Sequence, residues 1–158
     1  LEYCSASIKI NNEFENVNFT LVGEMDEENP NSINKNEYSQ IMNSPITYSG
    51  YSSEIPELLD ANNVFVLPSY FEGLSVSSLE AASSGLCLLL SDIPGCREIV
   101  INDINGYTFK RKSTSSLYEA MKKIIVNKEK ISHFGKNSRK LIIEKYSKEI
   151  VTKQLNEI

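Results

Sequence analysis

Val64-Phe65-Val66-Leu67 is an apolar run stopped by Pro68, and Leu86-Cys87-Leu88-Leu89-Leu90 is a second one, in a strand that ends at Ser91. Between them lie the loop Pro68-Ser69-Tyr70-Phe71-Glu72-Gly73-Leu74, a helical stretch from Ser75 to Ser84, and Gly85, which is placed to end that helix. Neither run alternates apolar with polar residues. A strand of that kind is buried on both faces, as in a parallel sheet joined by crossover helices. Residues 64–91 therefore predict a strand–helix–strand unit of an α/β fold.

The flanking segments extend the pattern. Leu1 to Ile10 reads as a helix, and Val17 to Val22 as a strand ending at Gly23. The Asn/Glu/Ser-rich stretch from Glu24 to Asn36 reads as a loop, with Glu24-Met25-Asp26-Glu27-Glu28 an exposed acidic insertion. Glu37 to Met42 is a candidate short helix, and Ile46 to Ser49 a strand ending at Gly50. Ser53 is a candidate cap for a helix from Glu54, with Pro56 in its first turn and Leu58 and Leu59 facing inward. Downstream, Asp92-Ile93-Pro94-Gly95 is a turn before a short helix to Val100, and Asn105-Gly106 turns into a strand over Tyr107-Thr108-Phe109. The remainder is helical. Ser113 or Thr114 caps a helix with Leu117, Met121, Ile124 and Ile125 on one face. Ile131, Phe134, Leu141, Ile142 and Tyr146 form the buried side of the next. The fold class is a doubly wound, Rossmann-like parallel sheet with helices on both faces.

Composition agrees with a single domain over residues 1–158. The chain is 41% hydrophobic and 23% charged, ordinary for a globular protein. Leu86–Leu90, the longest apolar run, is too short to span a bilayer. The start Leu1-Glu2-Tyr3-Cys4 lacks the basic and apolar regions of a signal peptide. Cys4, Cys87 and Cys96 have no metal-ligand spacing and form no disulfide framework, which places the chain in a reducing compartment, the cytoplasm. The formal net charge of −5 conceals an asymmetry: residues 1–109 carry net −13 and residues 110–158 net +8. The basic half reads as a solvated helical face or as a surface for an acidic partner, a membrane or another domain. Nucleic acid is not expected, because no aromatic residues alternate with the bases.

In a doubly wound sheet, ligands bind beyond the carboxyl ends of the strands. The loop after Leu67 runs directly into a helix, so the amides of Leu74 and Ser75 face outward at a helix N-terminus, an anion site suited to phosphate or pyrophosphate. Gly73 lets the backbone approach such a ligand closely. Glu72 and Glu80 bracket the turn. A carboxylate accepts hydroxyl protons well, so both suit a sugar or ribose diol. By charge alone, the same two residues also read as exposed carboxylates on a polar helix face.

Glu72-Gly73-Leu74-Ser75-Val76-Ser77-Ser78-Leu79-Glu80, followed by Ala81-Ala82 and Gly85, resembles the E-x7-E signature of the family 4 glycosyltransferases, retaining enzymes of the GT-B fold with two Rossmann-like domains. The resemblance continues through Gly50-Tyr51, Ile55 to Ala61, Val64 to Ser69, Pro94 to Val100 and Asn105-Gly106-Tyr107. Nearly the whole chain is similar to the C-terminal, donor-binding domain of that family. The resemblance implies that Glu72 meets the donor sugar's hydroxyls near the anomeric carbon. The Leu74 and Ser75 amides would hold the diphosphate, Glu80 the ribose hydroxyls, and the backbone around Tyr51 the nucleobase. The leaving diphosphate would help to deprotonate the acceptor. The substrate expected is an NDP-sugar, UDP-linked by similarity to enzymes of capsule, O-antigen or glycolipid assembly, and the product a hexosyl linkage. No cofactor and no metal is expected, and no DxD motif is present.

Departures from the family pattern are also expected to matter. The chain starts after the basic pair that neutralises the diphosphate in this family, and Arg97 is not assumed to replace it. The first strand of the domain and the N-terminal domain that meets a glycan or lipid-linked acceptor are expected to be absent, so the fragment alone would be inactive. The full-length protein would associate peripherally with the inner face of a membrane. In the family's sheet order the absent strand lies between residues 17–22 and 64–67, which would leave a gap or pair directly. Two rival readings remain: a non-catalytic nucleotide-binding or scaffold module, and an α/β-hydrolase using Ser75, Asp92 and His133, whose chain order fits although Gly-x-Ser-x-Gly is lacking.

Overall fold

The computed structural model describes residues 1–24 and 32–156. Met25 to Glu28 of the acidic insertion lie outside the described residues. In chain order the elements are α1 (Glu2–Glu13), β1 (Phe19–Val22), α2 (Lys35–Met42), β2 (Ile46–Gly50), α3 (Ile55–Asp60), β3 (Val64–Leu67) and α4 (Val76–Ser83). They continue with β4 (Cys87–Ser91), α5 (Pro94–Arg97), β5 (Gly106–Phe109), α6 (Thr114–Val126), a 3-10 turn (Lys128–Lys130), α7 (Ile131–Tyr146) and α8 (Lys148–Asn156).

Every strand pair is parallel. β1 pairs with β2, and β3, β4 and β5 pair in that order. β4 is the central strand of its sheet and is buried throughout. Its Cys87 and Leu89 point into one core with Tyr107, Leu117, Met121 and Phe134. Its Leu88 and Leu90 point into another with Ala81, Ala82, Ile93 and Ile99. Uninterrupted apolar residues on one strand thus serve two helical layers, as the sequence pattern requires. Cys4, Cys87 and Cys96 are free and buried, and burial pushes the Cys87 thiol up to about 12.

Among the described residues the two sheets do not join. β1 and β3 each have one paired edge, and a cavity of about 650 Å³ lies between them, bordered by Val17, Phe19, Val64, Val66, Leu89 and Met121. Of the two expected outcomes, a gap or direct pairing, the gap is found. It explains a correction: Val64–Leu67 is half-buried rather than buried, because among the described residues no strand pairs with its outer edge.

Local capping also differs from one expectation. α3 begins at Ile55 with Glu54 as its cap residue, and Ser52, not Ser53, accepts the Glu54 amide at 3.0 Å. Leu58 and Leu59 are half-buried, and α3 has no fully buried residue. α2 starts at Lys35, earlier than its apolar pattern implied, because Asn34 and Glu37 form a reciprocal capping box. Asn105 is more than a turn residue. Its buried side chain accepts from the Ile101 amide at 2.7 Å and donates to the Ile99 carbonyl at 2.9 Å, fixing the entry to β5.

Candidate functional site

The loop after β3 turns at Glu72-Gly73 and enters α4 at Ser75. Ser75 is the N-cap: its buried hydroxyl accepts from the Ser78 amide at 3.2 Å and from the Ser78 hydroxyl at 2.9 Å. The Ser75 carbonyl accepts from the Leu79 amide. Among the described residues, the amides of Leu74, Ser75, Val76 and Ser77 donate to no protein acceptor. This is the set of orphan donors that makes a helix N-terminus attractive to an anion. At the far end, Gly85 has φ +80 and terminates α4.

Two glycines define the turn in opposite ways. Gly95, from α5, is buried against it: a Cβ there would lie 2.1 Å from the Gly73 carbonyl oxygen and 2.6 Å from that of Glu72. α5 therefore acts as a backstop for the turn. Gly73 itself has open space where a Cβ would be, and its φ lies outside the left-handed region. The protein fold does not require glycine at position 73.

Glu72 is half-buried and Glu80 exposed. Glu72 lies close enough to Cys96 to add to the effect of burial, which pushes that thiol up to about 11. Tyr51 stands just past β2 and is 74% exposed. β1 and the gap separate it from the loop after β3, so the structure groups Glu72, Gly73, Leu74, Ser75 and Glu80 but leaves Tyr51 apart. Arg97 is engaged elsewhere, with its Nε 2.6 Å from Asp92 Oδ1.

The same rim holds residues that the sequence reading did not single out. Arg111 Nη1 donates to the Tyr70 carbonyl at 3.3 Å, and Lys112 Nζ lies 4.9 Å from the Tyr70 ring centroid. The Tyr70 hydroxyl donates to Glu2 Oε1 at 2.6 Å, and that carboxylate raises the Tyr70 pKa. The available signal was Lys110-Arg111-Lys112 directly after β5, because carboxyl ends of parallel strands share one side of the sheet. The hydrolase grouping is not formed. Ser75 Oγ is bonded within α4, Asp92 pairs with Arg97, and His133 Nε2 lies 3.1 Å from Asn137 Nδ2 on α7. Among the described residues, no cluster of His, Cys, Asp and Glu is arranged to hold a metal ion, and no helix is long and apolar enough to cross a membrane.

Residues 4–141 match the family model described as glycosyl transferases group 1. The chain belongs to that family. This group 1 glycosyl transferase domain is 37% identical over 122 residues to the N,N'-diacetylbacillosaminyl-diphospho-undecaprenol alpha-1,3-N-acetylgalactosaminyltransferase of Campylobacter jejuni, covering 77% of this chain and 31% of that protein. It is 33% identical over 98 residues to the UDP-Gal:alpha-D-GlcNAc-diphosphoundecaprenol alpha-1,3-galactosyltransferase of Escherichia coli, covering 62% and 25%. The chain thus spans less than a third of the length of either relative. HepE of Anabaena, solved with UDP and glucose, superposes with a TM-score of 0.85 over 99% of this chain and 43% of its own, at 18% identity. That identity speaks to the fold alone, and the fold agrees: a Rossmann-like arrangement of parallel strands and helices.

Proposed function

We propose that this domain is the donor half of a retaining, family 4 hexosyltransferase that takes a UDP-sugar and serves a glycan or lipid-linked acceptor. The observation that carries the reading is the turn at residues 72–75. It presents orphan amides behind a glycine that the fold does not need, with carboxylates on either side. A glycine with free space on the protein side is accounted for by close approach of a ligand. In this reading the Leu74 and Ser75 amides receive the diphosphate, Glu80 the ribose hydroxyls and Glu72 the donor sugar's hydroxyls, with the backbone at Tyr51 beside the base. The anomeric carbon–oxygen bond to the diphosphate breaks, the acceptor oxygen bonds to that carbon on the same face, and the acceptor's proton passes to the leaving diphosphate. The protein's part is positioning and charge stabilisation.

The names of the relatives support the substrate classes, a UDP-sugar and a diphosphoundecaprenol-linked acceptor. An acceptor domain on the N-terminal side and an active site completed by it belong to the same proposal, as does action at the inner face of a membrane. Three free, buried cysteines support the reducing side. One observation favours the second reading, a non-catalytic binding module: the gap between the sheets lies next to the strand position where doubly wound folds place their ligands. Calorimetry of the full-length parent with UDP, UDP-GlcNAc and GDP-mannose tests the proposal. Preferential binding of UDP ligands together with sugar transfer is expected. Binding without transfer supports the second reading, and no nucleotide binding refutes both.

A further inference from the structure

The loop over the candidate site is held by side chains rather than by its backbone. Among the described residues, no backbone–backbone hydrogen bond is made by residues 68–74. Ser69 Oγ donates to the Phe71 carbonyl at 3.2 Å, within the loop itself. Both hydrogen bonds that join residues 68–74 to other segments, among the described residues, run through Tyr70, which stands just ahead of Phe71 and Glu72. Its hydroxyl donates to Glu2 on α1, 68 residues earlier, and its carbonyl accepts from Arg111, 41 residues later.

The segment that reaches Tyr70 from the far side of the sheet is itself firmly based. Lys110-Arg111-Lys112 joins β5 to α6. The Lys110 amide donates to Ser116 Oγ at 2.9 Å, and Ser113 caps α6 by accepting from the Ser116 amide at 3.2 Å. β4 lies between β3 and β5, so the strands that carry the two loops are roughly 10 Å apart, two strand spacings. Long side chains cross that distance. Arg111 Nη1 reaches the Tyr70 carbonyl at 3.3 Å, and Lys112 Nζ stands 4.9 Å from the Tyr70 ring centroid, within cation–π range. Among the described residues neither cation is in an ion pair. Lys112 also has φ 55, a left-handed backbone that costs a residue with a Cβ and that glycine takes freely. Strain of this kind gathers at functional sites, where the surroundings hold it in place. At position 112 the side chain's one evident use is its contact with Tyr70.

We propose that Arg111 and Lys112 are positioning residues of the donor turn, acting through Tyr70. Arg111 fixes the Tyr70 backbone, Lys112 covers its ring, and Glu2 holds its hydroxyl. With Tyr70 pinned, the short lead to Glu72 sets where that carboxylate stands, while Gly95 supports the turn from α5. The role rests on the donor-site reading, in which Glu72 meets the donor sugar and the amides of Leu74 and Ser75 meet the diphosphate. Tyr70 adjoins Glu72 in the chain and lies further from those amides, so loosening it acts on turnover before nucleotide affinity.

The test uses the full-length parent and its variants Lys112→Gly, Arg111→Ala, Arg111→Lys and Tyr70→Phe. Each is measured for Tm, UDP affinity by calorimetry, kcat for sugar transfer, and amide hydrogen exchange of the peptide over residues 68–75. Lys112→Gly relieves the left-handed backbone, so its Tm is expected to stay the same or rise, whereas its kcat falls about tenfold through misplacement of Glu72. Arg111→Ala and Tyr70→Phe are expected to lower kcat similarly, with UDP affinity little changed, and all three variants to speed exchange in residues 68–75. Arg111→Lys keeps a donor for the Tyr70 carbonyl and should recover most of the turnover and protection. The proposal is overturned if kcat is unchanged in Lys112→Gly and Arg111→Ala, or if the losses follow Tm. It is also overturned if UDP affinity falls in step with kcat, which would make the two cations direct diphosphate ligands. A wild-type parent that binds no UDP refutes the donor-site reading instead. Loop exchange is measured without nucleotide, and if it is unaltered in all variants the tether fails whatever the wild type binds.

Discussion

Replacing Gly95 by alanine tests how the candidate site is built. The added Cβ would lie 2.1 Å from the Gly73 oxygen, 2.6 Å from the Glu72 oxygen and 2.7 Å from the Gly73 carbonyl carbon. All three are backbone atoms and cannot swing aside. Ordinary contact begins near 3.4 Å, so α5 and the turn must part by roughly 1.3 Å. Overpacking of this kind costs about 1–3 kcal/mol. In a domain of this size that lowers Tm by about 2–12 °C. The displaced atoms belong to the turn that carries Glu72, and a misplacement of about 1 Å can reduce catalysis on the order of a hundredfold. Gly73→Ala is the matched control: with free space and no left-handed φ, it should leave Tm within about 1–2 °C and act only on ligand binding. Circular dichroism melts and UDP calorimetry on both variants read the two effects separately. Unchanged Tm and unchanged affinity in Gly95→Ala would refute the backstop role. A large Tm loss in Gly73→Ala would refute the claim that the fold does not need that glycine.

Other outcomes follow from the same geometry. Glu80→Ala should weaken UDP binding by about 1–3 kcal/mol, the cost of losing charged hydrogen bonds, as read by calorimetry. Glu72→Ala should lower the turnover of the full-length enzyme more than its UDP affinity, and unchanged turnover would sink the role assigned to Glu72. The 158-residue chain, whose β1 and β3 each have an unpaired edge among the described residues, should be marginally stable, and cooperative unfolding above about 65 °C would contradict this. α1 and α6 are clamped by Glu13, which accepts from Lys122 Nζ at 2.5 Å and from the Tyr118 hydroxyl. The hydrogen bond from Lys122, then that from Tyr118, holds the Glu13 carboxyl below its ordinary range. With the folded value below the unfolded one, this stabilisation is present above about pH 4.3 and is lost as pH falls through the folded value. Glu13→Gln should therefore flatten the acid limb of Tm against pH, and the difference should shrink in high salt because the pair is exposed.

Much of this was legible in the sequence because the strands announce themselves. The unbroken apolar run at residues 86–90 reads as a strand covered twice, and its alternate residues do feed two cores. The turn at residues 72–75 was legible because a loop with Gly73 running straight into a helix exposes amides at a known place. What the sequence hid are contacts between distant segments. The pressure of Gly95 on the turn depends on how α5 folds back, and nothing in Pro94-Gly95-Cys96 alone reveals it. Arg111 and Lys112 looked like the start of a basic helical face, yet they meet Tyr70, some forty residues earlier in the chain. A gap was one of two expected outcomes, and its helical cover became visible only when α1 and α6 were seen to border one cavity.

In the proposed function, the turn between β3 and α4 receives the diphosphate of a nucleotide sugar. Backbone amide shift mapping of the labelled domain during UDP titration tests it most directly. Saturable shifts led by Leu74 and Ser75, extending to Glu80 and to the Tyr51 region, and reduced by Glu80→Ala, are expected. Shifts centred elsewhere, or none at millimolar UDP (about −4 kcal/mol of binding), would contradict it.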